Sequence, residues 1–143
     1  MNRPNCAPSN WEKVMSEERR LVLIVEDEEP ARRVFAAALE KNGYQVVQAG
    51  SAEEALVVAE NVDRPIDALL MDIMLPDSWG TRLAQSLQVL HPGIGIIFAS
   101  GYAADDPIMM GGIEKGTRFL HKHFEIDDLL MEIAALLEER TQA

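Results

Sequence analysis

The stretch Leu21-Val22-Leu23-Ile24-Val25-Glu26-Asp27-Glu28-Glu29-Pro30 decides how the rest of the chain is read. Leu21 to Val25 is apolar, largely branched and free of polar alternation. A run that short and continuous reads as a strand covered on both faces, as in a parallel sheet. It stops abruptly at carboxylates. Pro30 then opens a helix, because its ring presets a helical φ and its missing N–H costs nothing in a first turn. Ala31, Val34, Phe35, Ala38 and Leu39 recur at helical spacing. Lys41-Asn42-Gly43 closes the helix, with Gly43 at the left-handed stop position.

The unit repeats along the chain. Tyr44 to Gln48 is a weaker strand, expected nearer an edge. Ser51 and Glu54 form a capping box ahead of Ala55, Leu56, Val58 and Ala59. Ile66 to Ile73 is a second buried strand, followed by a loop from Leu75 to Gly80. Leu83, Leu87 and Leu90 mark a helix that His91-Pro92-Gly93 ends. Ile94 to Phe98 and Arg118 to Leu120 are further strands. Between them, Ala103 to Gly116 should hold a helix weakened by Pro107, Gly111 and Gly112. Ile126, Leu129, Leu130, Ile133, Leu136 and Leu137 form the apolar stripe of a last helix. Strands alternating with helices over short loops predict an α/β fold. The expected form is a five-stranded parallel sheet of order 2-1-3-4-5, doubly wound into a flavodoxin-like three-layer αβα sandwich.

Composition agrees with one domain that needs no staples. The chain has 143 residues, 48% of them apolar, and a single cysteine, Cys6, which cannot form an internal disulfide. Residues 1–19, with Pro4, Pro8 and several Asn and Ser, read as a mobile N-terminal extension, and residues 20–143 as the folded domain. No apolar run approaches the roughly 18 residues that span a bilayer. Met1 to Met15 lacks the apolar core of a secretory signal, so a cytoplasmic location without membrane association is expected. The net charge of −11 disfavours direct nucleic-acid binding, which rests on Lys and Arg displacing counterions.

In doubly wound sheets the ligand crevice lies beyond the carboxyl ends of the strands. The residues leaving each strand there are Glu26 and Asp27, Asp72, Ser100 and Lys122. Three carboxylates, a hydroxyl and an ammonium are thereby expected on one rim. Each alone has a plainer role, as a helix cap, a turn former or a solvated lysine. The combination is what carries information. Crowded carboxylates repel one another, and a hard divalent cation relieves the conflict. Mg²⁺ fits best, taking one or two carboxylates with waters and phosphate oxygens. Asp27 and Asp72 are the expected direct ligands. Glu26 acts through water, and a backbone carbonyl at Met74 is a further candidate. A carboxylate beside such a cation is also a nucleophile toward phosphorus. Asp72 would attack, while Lys122 and the Ser100 hydroxyl contact phosphoryl oxygens. His121 and His123 flank Lys122 but lack the companions of a zinc site.

Four segments carry a family likeness: Leu23 to Pro30, Ala68-Leu69-Leu70-Met71-Asp72-Ile73-Met74-Leu75-Pro76-Asp77, Ile97-Phe98-Ala99-Ser100-Gly101-Tyr102 and Phe119-Leu120-His121-Lys122-His123-Phe124. In order and spacing they resemble the receiver domains of two-component response regulators, from about Arg20 to the C-terminus. The resemblance implies Asp72 as phosphoacceptor, Glu26 and Asp27 as the acidic pair, Ser100 as switch hydroxyl and Lys122 as phosphate contact. Ser100, Gly101 and Lys122 form the phosphate-binding set, Phe119 occupies the aromatic switch position, and Gly80 matches the loop glycine. It further implies Mg²⁺ and a phosphohistidine donor on a sensor histidine kinase or a histidine phosphotransfer protein. Output would pass through an unknown downstream protein, with homodimerisation left open. The chain would be a signalling receiver rather than an enzyme on external substrates, catalysing only its own phosphorylation and dephosphorylation.

Besides the acidic pair, which is Glu26-Asp27 where Asp-Asp is commonest, two positions depart from the family pattern. His123 stands where proline in a cis peptide is usual, and a non-proline cis bond costs about 2.5–4 kcal/mol, so a trans Lys122–His123 bond is the alternative. Phe119 has no hydroxyl where Tyr is frequent. These departures sustain a rival reading, a degenerate receiver acting only as a protein-interaction module. A phosphohydrolase of similar topology is disfavoured, because Met74 stands where such enzymes place a second carboxylate.

Overall fold

The computed structural model describes residues 19–72, 75, 77, 80–100, 117–121 and 124–142. In chain order these form β1 (Leu21–Val25), α1 (Glu29–Lys41), β2 (Gln45–Ala49), α2 (Ala52–Asn61), β3 (Ala68–Asp72), α3 (Gly80–Leu90), β4 (Gly95–Ser100), β5 (Thr117–His121) and α4 (Ile126–Gln142). The strands make one parallel sheet of order β2-β1-β3-β4-β5. Both the topology and the edge position of β2 agree with the sequence reading. The helix expected over Ala103 to Gly116 lies outside the described residues, as do residues 1–18.

Period-two alternation splits the core into two compartments. Leu21, Leu23, Val25, Leu69, Met71, Ile96 and Phe98 pack with Ala55 and Ala59 of α2 and Leu83 and Leu87 of α3. Val22, Ile24, Leu70, Ile97 and Ala99 pack on the other face with Leu39 of α1 and Leu129, Ile133 and Leu136 of α4. Both faces of β1 are therefore buried, which is why its sequence shows no alternation.

Several boundaries differ from the sequence reading: β2 is Gln45–Ala49 rather than Tyr44 to Gln48, β5 is Thr117–His121 rather than Arg118 to Leu120, and the ends of α1, β3 and β4 also move. Helix α1 starts at Glu29, so Pro30 is its second residue. Strand β3 starts at Ala68 rather than Ile66. Ile66 N donates to His91 Nδ1 at 3.1 Å instead of to a strand, while Asp67 is bonded to Leu21 through its own N–H at 2.8 Å and through its carboxylate, which accepts from Leu21 N at 2.9 Å. Strand β4 runs on to Ser100, since β3 and β5 pair it along its whole length.

Geometry demands glycine at several positions, two of which bear on how the helices seat. Gly43 has φ +95° and ends α1 as its position suggested. Gly95 in β4 lies under Leu136, whose Cγ and Cδ atoms would sit 2.7–2.9 Å from an added Cβ. The absent side chain is what lets α4 approach the sheet. The edge strand β5 is tied to α4 by Arg118, which donates to Glu132 at 2.8 Å and to Glu139. Those two carboxylates hold the guanidinium pKa above its ordinary value.

Candidate functional site

The carboxyl ends of β1, β3 and β4 lie side by side because the chain reverses its strand order there, with β2 to one side of β1 and β3 to the other. The last β1–β3 pair is Val25 with Met71, so Glu26 and Asp72 leave neighbouring strands at one level. Asp72 pairs with Ala99, which brings Ser100 to the next position along the rim. The backbone register thus sets Glu26, Asp72 and the end of β4 at neighbouring positions along one edge of the sheet. Lys122, Gly101 and Met74, with the Lys122–His123 bond, lie outside the described residues.

Glu26 is buried at 7% exposure and is fixed from three directions. Its N–H donates to Ala49 O at 3.0 Å. Its Oε2 accepts from Glu28 N at 3.1 Å. Its carbonyl accepts from Arg32 Nη1 at 2.7 Å. Asp27, one residue on, is exposed, and Asp72 is half-buried. Phe119 of β5 is also half-buried and stacks on Phe98 with ring centroids 5.7 Å apart, so its ring packs onto the core.

Hard oxygen donors on neighbouring strand ends suit Mg²⁺ and no softer ion. Among the described residues, no three His, Cys, Asp or Glu side chains are drawn together as a metal-holding group. Mg²⁺ itself asks for few protein ligands, keeping most of its waters and taking one or two carboxylates. Asp27 and Asp72 would hold the ion directly, with Glu26 behind them. A hollow of about 480 Å³, lined by Arg19, Tyr44 and Gln45 among others, lies toward the amino end of β1 and β2, away from this rim.

Two residues that sequence reading passed over shape the rim. Arg32, in the first turn of α1, spans from Glu26 O to Gln48 Oε1, the latter at 3.3 Å from its Nε. Its helical position follows from the sequence, but the partner on β2 depends on sheet order. Asp77, in the loop after β3, accepts from Ala52 N at 2.9 Å and Glu53 N at 3.0 Å. These backbone bonds hold its pKa below the ordinary carboxylate value. Ser51 Oγ meanwhile accepts from Glu54 N at 3.1 Å, and Glu54 Oε1 from Gly50 N at 2.6 Å, close to the predicted capping box. The first three N–H groups of α2 are thereby all satisfied, two of them by Asp77, which lies 25 positions from Ala52 and 24 from Glu53. No local signal announces that contact.

Residues 22–134 match the response regulator receiver domain family. The chain belongs to that family. The receiver is 34% identical over 119 residues to the sensor kinase CckA of Brucella abortus, covering 83% of this chain and 13% of that protein. It is 31% identical over 116 residues to the response regulator receiver protein CpdR of the same organism, covering 81% of this chain and 95% of CpdR. It spans about half, 49%, of the probable transcriptional regulatory protein TcrX of Mycobacterium tuberculosis. Among solved structures, the receiver domain of the hybrid histidine kinase CckA superposes with TM-score 0.70 at 33% identity, covering 82% of this chain and 98% of that one. A CheY-like receiver from Methanospirillum hungatei superposes with TM-score 0.77 at 30% identity, covering 87% and 98%. The receiver domain of a two-component response regulator is therefore what the fold and the sequence both define. No helix among the described residues is long and apolar enough to cross a membrane.

Proposed function

We propose that this receiver accepts a phosphoryl group on Asp72 from a phosphohistidine, with Mg²⁺ in the acidic crevice, and signals by protein contact. The observation that supports the reading is that Glu26–Asp27 and Asp72 leave the neighbouring ends of β1 and β3 at one level, where the strand order reverses. The donor is a sensor histidine kinase or a histidine phosphotransfer protein.

Asp72 supplies the nucleophile. One of its carboxylate oxygens attacks phosphorus, the O–P bond forms, and the N–P bond to the donor imidazole breaks, leaving that ring to take up a proton. Bound Mg²⁺ supplies positive charge that screens the carboxylates from the incoming phosphoryl oxygens. Asp27 and Asp72 would hold the ion, with Glu26 acting through water. Lys122 and Ser100 contact the phosphoryl oxygens, with Gly101 allowing close backbone approach. Ser100 drawn toward a phosphorylated Asp72 shifts the end of β4, and Phe119, packed on Phe98 of that strand, responds. The result is a population shift driven by a local charge change.

The test is intact-mass measurement after treatment with acetyl phosphate and Mg²⁺. Wild-type protein gains the mass of one phosphoryl group, while Asp72→Asn, or wild type with EDTA, gains none. An unmodified wild type would reject phosphoacceptance and leave a module that acts only by binding.

A further inference from the structure

We infer that Arg32 is a positioning residue for the cation site, clamping the peptide that joins Glu26 to Asp27. The inference rests on the Mg²⁺ reading above and concerns how the chain preorganises its acidic pair. A peptide unit is planar, so fixing its carbonyl also fixes the N–H and Cα that follow. Arg32 Nη1 holds Glu26 O at 2.7 Å, and this is the carbonyl of the unit that ends at the Asp27 nitrogen. Glu26 N is held by Ala49 O at 3.0 Å, and the Glu26 carboxylate by Glu28 N at 3.1 Å. With these contacts and that of Arg32, residue 26 has little freedom left, and the direction in which Asp27 leaves it is set.

The guanidinium itself is steadied. Its Nε donates to Gln48 Oε1 at 3.3 Å, so the planar fork bridges the ends of β1 and β2. Its backbone N–H is bonded to Glu28 O at 3.0 Å, which anchors Arg32 in the turn that follows the acidic pair. Glycine at position 50 leaves room for the side chain, since a Cβ there would lie 3.3 Å from Arg32 Nη1. A lysine could supply the charge but not the rigid fork.

Charge and orientation predict opposite outcomes. If Arg32 acted only as a positive charge near the crevice, its removal would tighten Mg²⁺ binding, because the ion would no longer be repelled. If it orients Asp27, its removal weakens binding. Groups that orient ligands of a metal are worth roughly 10–100-fold in affinity. For one that acts through a backbone carbonyl, the lower end is expected.

The experiment is Mg²⁺ titration by calorimetry on wild type, Arg32→Ala and Arg32→Lys, well below each protein's thermal midpoint. Arg32→Ala should weaken Mg²⁺ binding about tenfold, with Arg32→Lys restoring only part of the loss. If Arg32→Ala does not fold, Arg32→Met, which keeps much of the aliphatic stem, takes its place. Unchanged or tighter binding in the charge-removed variant, beside a wild type that binds Mg²⁺, overturns the role of Arg32 alone. A wild type that takes up no Mg²⁺ overturns the site reading and this inference together.

Discussion

His91 shows how a single side chain can serve three elements. It is buried at the end of α3, where Nδ1 accepts from Ile66 N at 3.1 Å and Nε2 lies 2.8 Å from Ala59 O. With Nδ1 accepting, the proton sits on Nε2 and is donated to the carbonyl near the end of α2. The ring therefore joins α2, the approach to β3 and α3. His91→Ala would strand a buried donor and a buried acceptor and leave a void. It should cost about 2–4 kcal/mol in urea unfolding, with phosphoacceptance at Asp72 retained in the fraction that stays folded. A loss below about 0.5 kcal/mol would mean that water replaces the ring without penalty. The sequence presented His91 only as part of a helix stop, since its partners come from elements that local patterning cannot pair. Asp72 and Asp27, by contrast, were legible from sequence, because strands of apolar residues that end in acid mark the rim whatever the detailed packing.

At the scale of elements, the first turn of α2 is tied to the loop after β3. Asp77 closes that turn from the far side of a β-strand. The two backbone bonds lower the pKa of Asp77 in the folded chain, so the unfolded chain binds its proton more readily. The contribution of Asp77 to stability is accordingly complete above its unfolded pKa of roughly 4 and is lost as pH falls through the lower folded value. Asp77→Ala should lower the thermal midpoint by a few degrees at neutral pH. The gap between variant and wild type should close as the buffer is taken below the carboxylate range. A gap independent of pH would assign the loss to the loop backbone rather than to the carboxylate. Element identity was read well from periodicity, and most errors were of one or two residues at ends. Two of those ends moved for tertiary reasons: the Ile66 N–H is taken by His91, and β4 is lengthened by neighbours on both sides.

For the molecule as a whole, a net charge of −11 favours the uptake of cations. An ion that binds the folded chain and not the unfolded one stabilises it by mass action. Mg²⁺ at one hundred times its dissociation constant should add about 2.7 kcal/mol, visible as a raised thermal midpoint that EDTA reverses. Asp27→Asn should lose most of that increment while folding normally without the ion. The same increment in wild type and Asp27→Asn would place the stabilising ion elsewhere. Sheet order was legible at this scale because right-handed crossovers leave few alternatives. The couplings across the rim by Arg32 and Asp77 were not, since each joins residues that only the finished topology makes neighbours.

The sheet parts the hydrophobic interior into two sides that share a backbone but few side-chain contacts. Leu23 and Ile24 are consecutive in sequence, yet each belongs to a different side. Lesions at such a pair should therefore sum nearly independently, whereas Ile24 and Leu70, on one side and in register, should interact in a double-mutant cycle. Drift in the helices that cover one side can then proceed without forcing compensation on the other.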